Sequence, residues 1–209
     1  MKWALRQLAA PVRYLGISQG SGWLTSKLTY DWVIPLTFST MATLAVSYFR
    51  FSLGLFSDTG FISGVINLLN LLIAFFIAAL AAVATFDRKG LDDAMKGEPA
   101  IMKRRDSKGI VRDRILTHRQ FICYLFGYLS FCSIMLLLAL YAIRLAGKRA
   151  VAAVDWELAV GNLMLMSSDI LKIFGSFIFF LTFSQIVIAM LLGIYFLADR
   201  LQFLDDPND

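Results

Sequence analysis

One histidine, two cysteines and four prolines occur in 209 residues, and four long stretches hold no Asp, Glu, Lys, Arg or His at all. Each scarcity excludes something. His118 and two cysteines cannot supply the spaced ligand set of a structural zinc site, and Cys123 and Cys132, nine residues apart, fall on opposite faces of one helix, where they cannot bridge each other. No HExxH, GxSxG or Walker motif occurs, and no paired carboxylates lie within the apolar stretches. We therefore expect no enzyme, no cofactor and no bound metal. The N-terminal "MKWALRQLAAPVRYLG" scatters Lys2, Arg6 and Arg13 among its apolar residues, so it lacks the unbroken apolar core of a secretory signal.

What is abundant is hydrocarbon. Apolar residues make up 58 % of the chain and the mean hydropathy is +0.69. They are blocked into Trp32–Phe49, Phe61–Phe86, Phe121–Ile143 and Ile173–Ala198. At about 1.5 Å per residue, the shortest of these, 18 residues long, covers roughly 27 Å of a hydrocarbon core about 30 Å thick. The expected fold class is an all-α integral membrane protein with four transmembrane helices, plus interfacial helices at the N-terminus and in the outer loop. Of the 20 Lys and Arg residues, fifteen fall in the N-terminal segment, residues 87–120 and the tail, and five in the other two loops. The positive-inside bias then makes both termini cytoplasmic.

The chain divides into a basic amphipathic segment (1–30), a first transmembrane hairpin (31–86), a basic cytoplasmic loop (87–120), a second transmembrane hairpin (121–198, with outer loop 144–172) and an acidic tail (199–209). Trp3, Leu5, Leu8, Val12 and Leu15 would face the headgroup boundary, with Pro11 breaking or kinking that helix. Pro35 falls near the first turn of the first span, where a missing N–H costs little. In the outer loop, Val151, Val154, Leu158 and Gly161 approximate one face of a re-entrant or surface helix.

Three groups are candidates for function. Asn67, Asn70, Ser130, Ser133, Thr182 and Gln185 form the candidate polar interior, either a structural clamp or the lining of a cavity. Ala74, Ala78 and Ala82, four residues apart, form a small-residue face for helix packing, and Gly127 a further close-contact site. Lys103, Arg104, Arg105, Lys108, Arg112 and Arg114 are candidate contacts for anionic lipid or an acidic partner. Glycines 90, 97 and 109 and Pro99 favour turns in that loop. Thr117 and Gln120 match a capping box, with His118 in the first helical turn. The basic loop has no nucleic-acid fold signature.

These features point to a small non-enzymatic membrane adaptor or effector in a bacterial inner (plasma) membrane. Its expected partners are anionic lipids, a cytoplasmic protein or further copies of itself. The alternative is a homo-oligomeric channel or permeability-altering protein, of the kind a bacterial stress or phage-defence response would use. For the topology, single cysteines replacing Ser57 or Ser168 in a cysteine-free parent should react with an impermeant reagent outside intact cells. One at Ser107 should stay unlabelled, and labelling there would invert the orientation.

Overall fold

The computed structural model describes residues 7, 9–19, 27–48, 60–86, 90–94, 99–105, 111–152, 157–160 and 163–200, with side chains outside the description at 104–105, 145–152, 157–160, 163–172 and 199–200. A 3-10 helix over Ala10–Gly16 leads into the two-residue strand β1 (Ile17–Ser18). A π-helical turn, Thr29–Val33, opens directly into α1 (Ile34–Tyr48), and α2 (Phe61–Thr85) follows. Strands β2 (Ile101–Arg105) and β3 (Val111–Ile115) precede α3 (His118–Ala152). Strands β4 (Glu157–Val160) and β5 (Leu163–Met166) then lead to α4 (Ser167–Tyr195), which ends in a π-helical turn, Phe196–Arg200.

Three helical stretches, Phe61–Thr85, His118–Arg144 and Ile173–Ala198, are long and apolar enough to cross a membrane. Their outer surfaces agree: Leu71, Leu138, Phe174 and Leu191 are all exposed. A soluble bundle would bury such side chains, whereas lipid solvates them. The helices pack as a row, α1 on α4, α4 on α3 and α3 on α2. The largest buried cluster contains Leu69 and Phe76 of α2, Phe121, Leu125, Phe126 and Leu129 of α3, and Ile186 of α4. A smaller one, Val46 with Phe180, joins α1 to α4. Ser39 seals that contact by donating to the Phe177 carbonyl at 2.9 Å. Thr37 and Thr40 lie on the exposed side and satisfy their hydroxyls on carbonyls one turn back.

The all-α expectation needs correction. β1, β2 and β3 form one antiparallel sheet, and β4 and β5 a second. Where turn residues suggested an irregular basic loop, the structure builds a hairpin, because "IMKRR" and "VRDRI" place Ile, Met and Val where a strand accepts β-branched or long side chains. Of the residues expected in an outer-loop helix, Val151 continues α3 and Leu158 lies in β4, while Val154 and Gly161 lie outside the described residues. α3 runs on to Ala152, and β4 and β5 flank Gly161 and Asn162, a turn-favouring pair in sequence. At the N-terminus, Trp3, Leu5 and Leu8 lie outside the described residues; Gln7 is helical, and Ala10–Gly16 is a 3-10 segment with Pro11 in its first positions.

Three contacts gather the chain at one end of the bundle. β1 pairs with β2, the Phe121 and Phe196 rings lie 4.9 Å apart, and Arg119 bridges α2 to α3. The Arg119 guanidinium gives a two-pronged bond to Asp92 at 2.8 and 3.0 Å and reaches the Ala84 carbonyl at 3.2 Å, capping the end of α2 with a cation. At Thr117 the side-chain oxygen accepts the Gln120 N–H at 3.3 Å, starting α3. His118 is buried against the Asp93 carbonyl at the same joint.

Close helix approach is made by Gly193 of α4. A Cβ there would lie 3.1 Å from Phe126 and 3.4 Å from Leu125, whereas one at Gly127 would meet nothing within 4 Å. Gly193→Val should therefore lower stability by about 1–3 kcal/mol through overpacking, and Gly127→Ala should cost nothing, gaining up to about 1 kcal/mol of helix propensity. Thermal unfolding in detergent of the two variants side by side checks the contrast.

Candidate functional site: a buried polar cluster beside the spans

The helix that carries Pro35 is already formed at Lys27, two turns before it. Proline has no N–H to give the carbonyl four residues back, and its ring crowds that carbonyl. Here the carbonyl belongs to Asp31. The backbone answers with the π-helical turn, in which Ile34 N–H bonds to the Thr29 carbonyl five residues back. Across the helix contact, the Gln185 amide donates to the Asp31 carbonyl at 3.0 Å. Gln185 in turn accepts the Tyr128 hydroxyl at 3.3 Å. One polar chain thus runs from α1 through α4 to α3.

The Asp31 side chain is buried as well, at 8 % exposure, together with Lys27 at 5 %. They form an ion pair one helical turn apart. Lys27 Nζ also donates to the Tyr14 carbonyl at 2.9 Å and lies 3.7 Å from the centre of the Tyr14 ring. Asp31 accepts the Tyr14 hydroxyl at 3.3 Å. Tyr14 is fully buried, stacked on Tyr128 with ring centres 5.0 Å apart. Burial first, and the Asp31 carboxylate second, hold the Tyr14 phenol well above its ordinary pKa of 10.0, so it remains a hydroxyl donor at physiological pH.

The cluster is deep. Gln185 lies midway along the apolar stretch Ile173–Ala198, and Tyr128 lies ten residues beyond His118, about 15 Å into α3. A cleft of about 290 Å³ opens beside it, lined by Leu15, Ile17, Leu28 and Trp32 with Lys27 and Asp31. Chemically, the arrangement holds two opposite charges where water is scarce and fastens the N-terminal segment to three helices. Unpaired, either charge would be costly to bury there.

The expected polar interior is brought together only in part. Gln185 is central to the cluster. Ser130 bonds back to the Phe126 carbonyl at 2.8 Å and Thr182 to the Ile178 carbonyl at 2.9 Å, so both satisfy themselves within their own helices. Ser133 is fully buried with no hydrogen-bond partner. Asn67 and Asn70 lie on the exposed face of α2, away from Gln185. Ala74 and Ala78 are exposed there too and Ala82 is half-buried, because the face of α2 that meets α3 is built from Val65, Leu69, Leu72, Phe76, Ala79 and Val83. Lys103, Arg112 and Arg114 are exposed on the hairpin. The Arg104 and Arg105 side chains and all of Lys108 fall outside the described residues.

Lys27, Asp31, Tyr14 and Tyr128 were missed by the sequence reading. The available signal was the spacing Lys27, Asp31, Pro35, which puts a cation, an anion and a proline on one helical face. It is hidden because the pair falls just before the apolar run. Comparison with protein-family models, curated proteins and solved structures gives no match. The class rests on fold and site alone: a multi-pass helical membrane protein with a buried ion pair.

The pair should behave as a unit. Lys27→Met or Asp31→Leu alone should cost about 3–5 kcal/mol by stranding the other charge, while the double variant should recover most of the loss. Gln185→Leu should cost about 1–3 kcal/mol by orphaning the Asp31 carbonyl. Unfolding of the purified variants in detergent measures all four. Additive single losses would show that the two charges are not coupled.

Proposed function

We propose that the protein is a non-enzymatic membrane adaptor or effector whose basic hairpin engages acidic groups at the cytoplasmic face of a bacterial inner membrane. In this reading the run Trp32–Phe49 is a fourth crossing and both termini are cytoplasmic. The joining of the N-terminal segment, the hairpin and the end of α4 at one end of the bundle supports that path.

The observation that carries the reading is β3. All five of its residues, Val111–Ile115, are exposed, with Arg112 and Arg114 among them, and register sets Lys103 of β2 opposite Asp113 and Arg104 opposite Arg112. Lys103, Arg112 and Arg114 thus expose basic side chains on one hairpin, where an acidic group can reach them. β3 ends three residues before His118, so chain length alone keeps it within about 11 Å of the start of an apolar span. Anionic lipid headgroups are therefore the nearest partners; an acidic segment of a cytoplasmic protein would use the same contacts. Because β1 is zipped to this hairpin and continues back to Tyr14, a load on the hairpin reaches the ion pair beside the spans.

A homo-oligomeric channel is the second reading, favoured by a buried ion pair beside the spans. A conductance of reconstituted protein that Gln185→Leu abolishes without unfolding would put it first.

The adaptor reading is tested by reversing Lys103, Arg112 and Arg114 to Glu. At about 1 kcal/mol per basic residue, three losses should weaken binding of nanodisc-held protein to phosphatidylglycerol vesicles by roughly 100-fold at low salt. The salt dependence should flatten as well. Undiminished binding would remove the hairpin from the contact.

A further inference from the structure

The cleft beside Lys27 and Asp31 has a lining of two kinds. Ser18, Gln19, Lys27 and Asp31 are polar, while Leu28 and Trp32 are apolar and remain 58 % and 41 % exposed. Its volume of about 290 Å³ is close to the lower bound of pockets that hold small molecules, so it suits a compact group. Gly16 shows the room directly: it lines the cleft, and a Cβ there would meet nothing within 4 Å. The cleft also spans a boundary. Ile17 and Ser18 pair with the hairpin, whereas Tyr14, which holds Lys27 and Asp31, packs on Phe121 and Tyr128, about 5 and 15 Å from the start of α3. This is the depth at which headgroups give way to hydrocarbon.

Lys27 and Asp31 neutralise each other without exhausting each other's hydrogen bonds. Among the described residues, Lys27 Nζ gives two of its three N–H groups, to the Tyr14 carbonyl and to Asp31. Asp31 accepts one bond on each carboxylate oxygen, from Tyr14 and from Lys27, and each oxygen keeps a further lone pair. One donor on a cation and two acceptor sites on an anion therefore remain, on side chains that are more than nine-tenths buried and line the cleft. We infer that the cleft binds the head of a zwitterionic phospholipid with a primary ammonium group. A phosphate oxygen takes the free Lys27 N–H, the ammonium donates to Asp31, and the acyl chains leave past Leu28 and Trp32. An anionic head without the ammonium would set its phosphate against Asp31 with nothing to offset the repulsion. A choline head has no N–H to donate. A soluble phosphodiester would leave Leu28 and Trp32 uncovered. The site is separate from the basic side chains of the hairpin and does not rest on what they bind.

The test is lipid retention, read by native mass spectrometry of the full chain released from nanodiscs with equal phosphatidylethanolamine, phosphatidylcholine and phosphatidylglycerol. One phosphatidylethanolamine should stay bound, preferred about tenfold over either other lipid. Gly16→Leu and Gly16→Trp add bulk of two sizes at the wall of the cleft. Each should reduce that retention about tenfold with the unfolding temperature unchanged. The chain with Lys103, Arg112 and Arg114 reversed to Glu should keep the same preference. Equal retention of the three lipids, or a preference for phosphatidylglycerol, would overturn the assigned head. Undiminished retention in the folded Gly16 variants, or its loss on reversing the hairpin charges, would remove the lipid from the cleft. Soluble glycerophosphoethanolamine binding as tightly as the lipid would overturn the part given to Leu28 and Trp32.

Discussion

A carbonyl without its helical partner sets the terms for the rest of this molecule. Pro35 removes the N–H that Asp31 needs, and in hydrocarbon an unsatisfied carbonyl has no water to fall back on. Gln185 supplies the missing donor from α4, and Tyr128 holds Gln185 from α3. This one debt therefore brings three helices into register. Around it the Lys27–Asp31 pair and Tyr14 add a second layer, so the segment before α1 is wedged into the bundle and does not float at its surface.

The wedge changes what the basic stretch is. As a loop it would be a tether for charge. As a hairpin zipped to β1, it is connected by two short strands to the buried cluster of Tyr14, Lys27 and Asp31. Arg119 and His118 fix its other root at the start of α3. Ile17 and Ser18 of β1 thus join the hairpin to the Tyr14 that holds the ion pair.

Much of the architecture could be read from residue types. Runs such as Phe61–Phe86 and Ile173–Ala198 are long enough that membrane thickness alone identifies them, and the structure has helices there. The cap at Thr117 followed from a local pattern. The sheet was not legible, because β1 and β2 are joined by a pairing between residues 83 apart or more and each strand is too short to show alternation. The polar cluster failed for a related reason. Gln185 was identified by its depth, but its partner is a backbone carbonyl, which carries no side-chain signal. Asn67 and Asn70 were conspicuous, yet which way a helix turns them depends on where its bulkier face finds a neighbour.

The Asp31–Gln185 bond also has a place in time. Its partners are 154 residues apart, and the Ser39–Phe177 bond spans 138. A ribosome making this chain delivers the proline-interrupted helix first and the helix that completes it last. Until α4 is inserted, the opening helix carries a carbonyl that no later part of the chain has yet met, and its seal against α4 does not exist. Synthesis that stops after α3 would leave a product whose opening helix is unfinished, a defined defect that separates a truncated chain from a whole one.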